Sequence, residues 1–97
     1  MTNIQVRLKE DQVQSNTFEV SCSDDAGKTT HSVTLDKSNY ITWTDRKIKP
    51  EIWVEKSFEF LLEREPKESI LRRFNMTVIL EYFPEYIREM KQLCRSN

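Results

Sequence analysis

One thiol and one imidazole lie where a β-hairpin could bring them together. Cys22 and His31, the only histidine, stand on either side of Gly27, the only glycine. If Asp25 and Lys28 flank a two-residue turn, the thiol faces the imidazole across the two strands. A base beside a cysteine favours the thiolate, which is the nucleophilic form. The pair therefore raises the hypothesis of a thiol enzyme or hydrolase.

The rest of the sequence supplies little of what such catalysis requires. Both residues fall on the apolar side of the hairpin near its turn, and no third group that would orient the imidazole is evident. A single glycine cannot build a phosphate-cradling or dinucleotide-binding loop. We therefore expect Cys22 and His31 to close the edge of the core, and we expect no catalytic residue and no cofactor.

A metal site is not expected either. Cys22, Cys94 and His31 would need a distant fourth ligand. Four glutamates recur at a spacing of four residues, so they share one face of a helix: Glu51, Glu55, Glu59 and Glu63. Such a row could serve acid–base chemistry or bind a cation, but adjacent like charges on a helix are more typical of a solvated face.

Strands are predicted in the first third of the chain. Apolar and polar residues alternate over 17–35, which indicates an antiparallel hairpin with one buried face. The turn described above places Val20 opposite Val33 and Phe18 opposite Leu35. This register puts the apolar side chains of both strands on one side.

Helices are predicted to follow the hairpin. Residues 1–16 are expected to be either partly disordered or a first strand, and 36–95 to form about four short to medium helices. Asp36 can cap the first helix, Pro50 suits the first position of the second, and Asn75 can cap a later one. This segregation of strands and helices predicts an α+β fold in one domain over the whole chain.

Composition excludes several classes of protein. The 97 residues carry 15 basic and 16 acidic side chains, so the chain lacks the positive charge that attracts a polyanion over long range. No stretch approaches the ~20 apolar residues of a membrane span. The first residues lack the apolar run of a signal peptide. We therefore expect a cytoplasmic protein that is not associated with membranes.

An apolar surplus on one helix points to a partner. The stretch 50–64 carries a main apolar stripe, and Trp53 and Phe60 flank that stripe instead of lying on it. Aromatic side chains left outside a small core are typical of contact surfaces. We therefore expect a non-enzymatic interaction or regulatory module that binds another protein or a second copy of itself through Trp43, Trp53 and Phe60.

DNA binding is the alternative function. A strand followed by two helices is also the order found in ribbon-helix-helix regulators and antitoxins, where outward side chains of the strand contact base edges. Here those side chains would be Thr30, Ser32 and Thr34. Residues 18–23 offer the strand a partner within the chain, and the outward positions carry no arginine or lysine. Nucleic acid is therefore not the expected partner.

Two segments of the second half also resemble a known group of sequences. They are SFEFLLEREPKESIL at 57–71 and FNMTVI with YFPEY within 74–86. Together with the hairpin that precedes them, they are similar to a group of small bacterial proteins of unknown function. The resemblance covers residues 17–86 and implies a bacterial, intracellular protein.

This chain departs from that group at two places. Asn75 stands where an aspartate is usual, and Asp45-Arg46 stands where a glycine-containing turn is usual. Asn75 is still able to cap a helix. The second departure affects the turn at 44–48, which sets the angle between the helices on either side of it.

Overall fold

The computed structural model describes residues 2–95 and has an α+β fold. The strands are β1 (Asn3–Asp11), β2 (Ser15–Asp24), β3 (Gly27–Asp36) and β4 (Arg73–Asn75). The helices are α1 (Lys37–Thr44), α2 (Pro50–Leu62), α3 (Val78–Tyr82) and α4 (Tyr86–Arg95), with a 3-10 turn at Lys67–Ser69. The fold class predicted from the sequence is confirmed. Residue 1 and residues 96–97 of the predicted 1–97 domain lie outside the described residues.

The four strands form one mixed sheet in the order β1–β2–β3–β4. The first three are antiparallel neighbours, so residues 1–16 contribute a first strand. The fourth strand pairs with β3 in parallel, with Phe74 beside Val33. The prediction that 36–95 is entirely helical is therefore wrong at 73–75. A strand of three residues is too short to produce the alternation by which strands are recognised.

The hairpin of β2 and β3 differs by two positions from the predicted register. Phe18 pairs with Val33, Val20 pairs with His31, and Cys22 pairs with Thr29. The expected pairs of Phe18 with Leu35, Val20 with Val33 and Cys22 with His31 are therefore wrong. Because side chains alternate with a period of two, a shift of two leaves every side chain on its predicted face.

The turn explains this register. Asp24 and Gly27 flank it, instead of Asp25 and Lys28. The Asp24 carboxylate accepts a hydrogen bond from the backbone N–H of Ala26 at 2.8 Å, and Gly27 has a φ of 132°. That φ is accessible to glycine and strained for residues with a side chain, so Gly27 is placed where the chain enters β3.

The helices cover one face of the sheet, and α2 contributes two adjacent buried stripes. Phe58 packs towards the sheet, with ring contacts to His31 and Phe74. Trp53 and Phe60 pack towards α4, where both contact the ring of Tyr86. A helix held between a sheet and another helix is apolar over more than one face, which accounts for the surplus seen in the sequence.

The helix starts agree only partly with the predicted caps. Pro50 is the first residue of α2, as predicted. Asp36 precedes α1 but makes no side-chain cap, and its carboxylate instead accepts a hydrogen bond from Asn75 Nδ2 at 3.3 Å. Asn75 Oδ1 accepts the N–H of Thr77 at 3.0 Å. Thr77 holds the N-cap position of α3 and makes no side-chain cap, so the predicted Asn75 cap is wrong. The Asp36 and Asn75 side chains instead link β3 to the segment that leads into α3.

Candidate functional site

Cys22 does not pair with His31. Its strand partner is Thr29, whose side chain hydrogen-bonds to the thiol, and both ring nitrogens of His31 have partners other than Cys22. His31 Nδ1 lies 2.7 Å from the carbonyl oxygen of Leu71, and Nε2 lies 2.9 Å from Thr29 Oγ1. A carbonyl only accepts, so the proton is on Nδ1 and Nε2 accepts the hydroxyl proton of Thr29. The imidazole thus fastens the segment around Leu71 to the sheet.

The electrostatics of this pair do not favour a thiolate. Burial raises the pKa of the Cys22 thiol, and burial lowers the pKa of His31. Both groups therefore stay neutral near pH 7, and the imidazole has no free nitrogen with which to deprotonate the thiol. The arrangement is that of a closed core edge.

The aromatic residues expected to contact a partner lie mostly in the core. Trp53 is 0% exposed and sits between Trp43, with ring centroids 6.1 Å apart, and Tyr86 at 6.0 Å. Phe60 is 1% exposed because its ring packs against Tyr86 at 5.3 Å and Phe83 at 5.8 Å, and the guanidinium of Arg64 covers it at 3.7 Å. Trp43 is half-buried. Trp53 and Phe60 therefore present no surface to a partner, and only Trp43 is accessible.

The strand that would read DNA in the alternative function lies inside the sheet. β3 is paired with β2 on one edge and with β4 on the other. Thr30, Ser32 and Thr34 do lie on the face of the sheet opposite the buried side chains. A ribbon-helix-helix dimer pairs this strand with its copy in a second chain, which requires a free edge, and β4 occupies that edge at residues 32–34.

An apolar cavity of about 220 Å³ lies between β4, the 3-10 turn, α3 and the end of α2. We call it the Leu71–Tyr82 cavity. Its lining residues are Leu61, Glu65, Ser69, Ile70, Leu71, Phe74, Val78, Ile79, Tyr82 and Phe83. This volume is below the usual range for small-molecule sites, so the cavity suits one or two side chains.

Two large apolar side chains at this cavity remain in contact with solvent. Leu71 is 49% exposed and Tyr82 is 68% exposed, whereas Ile70, Phe74 and Ile79 are buried. The sequence carries a signal for Tyr82, because Met76, Ile79, Leu80 and Phe83 recur at helical spacing and Tyr82 lies off that apolar stripe.

The free edge of β4 borders the same cavity. Ser32 N–H donates to the Arg72 carbonyl, and Met76 N–H donates to the Thr34 carbonyl. Successive residues of a strand point their backbone groups to opposite edges, so those of Arg73 and Asn75 point away from β3. No other strand within residues 2–95 pairs with that edge. Phe74 is on the buried face of the sheet and lines the cavity.

One carboxylate lines the cavity, and a buried lysine lies in the 3-10 turn next to it. The carboxylate is that of Glu65, and burial raises the pKa of this carboxyl. Lys67 is 3% exposed, and its ammonium contacts Asp24 at 2.9 Å and Glu68 at 2.5 Å. These contacts, first that with Glu68, raise the pKa of Lys67. Lys67 therefore ties the 3-10 turn to the β2–β3 hairpin and stays charged.

The glutamate row on α2 remains a surface feature. Glu51 and Glu63 are exposed, Glu55 is half-buried, and Glu59 forms an ion pair with Lys56 at 3.4 Å. Within residues 2–95, no three His, Cys, Asp or Glu side chains are grouped closely enough to hold a metal ion.

Comparisons with known proteins found no match. No protein family, no curated protein and no solved structure matches this chain. In the part of the chain that the structure describes, no helix has both the length and the apolar content needed to cross a membrane.

Proposed function

We propose that this protein is a non-enzymatic interaction module that binds a segment of a partner protein at the Leu71–Tyr82 cavity. The observation that carries the proposal is the exposure of Leu71 and Tyr82, at 49% and 68%, beside an apolar cavity. Exposed apolar side chains around a cavity are typical of contact surfaces, and tyrosine is enriched among the residues that contribute most to binding.

The partner segment is expected to be extended. A strand added to the outer edge of β4 would hydrogen-bond to the backbone groups of Arg73 and Asn75. Every second side chain of that strand would then lie on the same face of the sheet as Phe74, which lines the cavity. Main-chain hydrogen bonds would supply general affinity, and one apolar side chain in the cavity would supply selectivity.

Peptide selection tests this proposal. Random peptides displayed on phage are selected on the wild-type protein, and the binders are measured by titration against Leu71→Asp and Tyr82→Asp. We expect extended sequences with an apolar residue, and a loss of affinity of about tenfold or more in both variants. Val13→Asp is the matched control, because Val13 is 92% exposed on the β1–β2 loop and away from the cavity.

Two outcomes would count against the proposal. Selected peptides that bind the Asp variants as well as the wild type would place binding elsewhere. Amide signals of Arg73 and Asn75 that do not move in NMR spectra on peptide addition would remove the β4 edge from the site. Light scattering of the wild type and Tyr82→Asp tests whether a second copy of the chain occupies the cavity. If it does, the wild type is a dimer and the Tyr82→Asp variant is a monomer.

A further inference from the structure

Two cavities meet where the α1–α2 connection lies against the last turn of α4. Their volumes are about 490 Å³ and 250 Å³, and both are lined by Lys47, Ile48 and Cys94. The two cavities are therefore adjacent, and we call them together the Trp43 groove. Trp43 lines its larger part, and Ile52, which is 41% exposed, lines its smaller part.

The groove is positively charged in a chain whose net charge is −1. Lys47, Lys49, Lys91 and Arg95 line it, against one acid, Asp45. Asp45 Oδ2 lies 4.0 Å from Lys47 Nζ, and the two side chains are 83% and 79% exposed. This exposed pair therefore cancels little of the positive charge of the groove. Among the described residues, the other three cations form no ion pair.

The aromatic side of the groove is rigid. The Trp43 ring stacks on that of Trp53, with centroids 6.1 Å apart and 29° between the planes, and meets Tyr86 edge-on at 5.8 Å. Trp53 also lines the larger cavity, but its side chain is 0% exposed. The groove thus combines an apolar surface, held in place by ring contacts, with cations.

We propose that the Trp43 groove binds an acidic segment of a partner protein. Carboxylates of the segment meet the lysine and arginine side chains, and one apolar side chain between them packs on Trp43 and Ile48. Complementary charge of this kind raises the rate and specificity of association. The groove shares no lining residue with the Leu71–Tyr82 cavity, so this inference stands apart from the proposed function.

A peptide fits the groove better than a nucleic acid does. Single strands bind by stacking successive bases on exposed aromatic rings. Here Trp43 is half-buried and Trp53 beneath it is 0% exposed. A base could therefore stack on one ring alone, that of Trp43. The remaining apolar lining is aliphatic, from Ile48 and Ile52, which suits a side chain of a peptide.

The test uses two synthetic peptides that differ only in charge. In one, glutamates flank a single leucine, and in the other each glutamate is replaced by glutamine. The indole N–H signal of Trp43, assigned with Trp43→Phe, is followed by NMR during titration. We expect the glutamate peptide to shift this signal and to bind about tenfold more tightly than the glutamine peptide at low salt, with the difference shrinking as salt is added.

Charge-reversal variants locate the binding. Lys47→Glu with Lys91→Glu is expected to weaken the glutamate peptide by about tenfold or more. Lys9→Glu with Lys28→Glu, at exposed lysines of the sheet, makes the same change in net charge and is expected to leave affinity within about twofold. Leu71→Asp is expected to leave it unchanged as well, which separates this groove from the Leu71–Tyr82 cavity.

Three results would overturn the inference. One is equal binding of the two peptides, or no shift of the Trp43 signal with either. Another is an equal loss of peptide affinity in the two charge-reversal variants, which would show that binding depends on the net charge of the protein and not on the groove. The third is tighter binding of single-stranded oligothymidylate than of the glutamate peptide at matched salt, which would assign the groove to nucleic acid.

Discussion

A buried hydroxyl pair joins α2 to α4, and its geometry fixes which group donates. Ser57 Oγ lies 2.7 Å from the carbonyl oxygen of Trp53 and 2.6 Å from Tyr86 Oη, and both hydroxyl side chains are 0% exposed. The carbonyl can only accept, so Ser57 donates to it and Tyr86 donates to Ser57. The two substitutions that break this chain should therefore have unequal effects on stability.

Ser57→Ala leaves the Tyr86 hydroxyl buried without an acceptor, which costs about 1–3 kcal/mol of unfolding free energy. The better helix propensity of alanine returns about 0.5 kcal/mol of this. Tyr86→Phe leaves Ser57 still bonded to Trp53, so it costs about 0.5–1.5 kcal/mol. In the double variant neither group is left unpaired. Adding Tyr86→Phe to the Ser57→Ala variant should therefore raise stability by about 1 kcal/mol.

Urea unfolding of the four proteins, followed by tryptophan fluorescence and circular dichroism, measures this coupling. In thermal melts, 1 kcal/mol corresponds to about 4–8 °C in Tm for a chain of this size. Ser38→Ala, at an exposed serine of α1, is the control and should change stability by no more than about 0.5 kcal/mol. If the costs of the two single substitutions simply add in the double variant, the hydroxyls do not form the donor chain described here.

Three further predictions concern His31, Arg46 and the two cysteines. Because burial lowers the pKa of His31, the unfolded chain takes up this proton first on acidification, and the unfolding free energy should fall between about pH 7 and 5. Denaturant titrations of wild type and His31→Gln should show a flatter pH dependence in the variant, and equal slopes would refute this origin. Arg46 has a φ of 60°, so Arg46→Gly should raise the urea midpoint and stability by about 0.5–1 kcal/mol, whereas a loss would contradict this backbone geometry. Cys22 is fully buried and Cys94 half-buried, so iodoacetamide should modify Cys94 first at neutral pH in mass spectra, and a faster Cys22 would revive the thiol-enzyme hypothesis.

The turn after α1 illustrates how a sequence-level departure becomes structural. Asp45 and Arg46, where the sequence resemblance leads one to expect a glycine-containing turn, both have positive φ, at 55° and 60°. The N–H of Asp45 donates to the Ile41 carbonyl and ends the helix. The residue pattern located this turn correctly, but it could not tell whether the chain keeps a backbone geometry that disfavours side chains.

The candidate sites were only partly predictable. Trp43, one of the predicted contact residues, lines a groove, but Trp53 and Phe60 were also expected on a surface and are buried. Both pack against Tyr86, which is far away in sequence. The Leu71–Tyr82 cavity escaped prediction because it depends on β4. That strand exists only through its parallel pairing with β3, a contact between residues about forty positions apart.

The amino-acid sequence by itself determined the class of fold, the buried faces of the hairpin strands and the start of α2. These follow from local causes, namely the periods of two and 3.6 residues in the apolar pattern and the fixed φ of Pro50. Only the tertiary structure decided the register of the hairpin, the strand at 73–75 and which aromatic rings meet solvent. A shift of two residues preserves every face of a strand, and a side chain's exposure depends on neighbours that are distant in sequence, so local patterns carry no information on either.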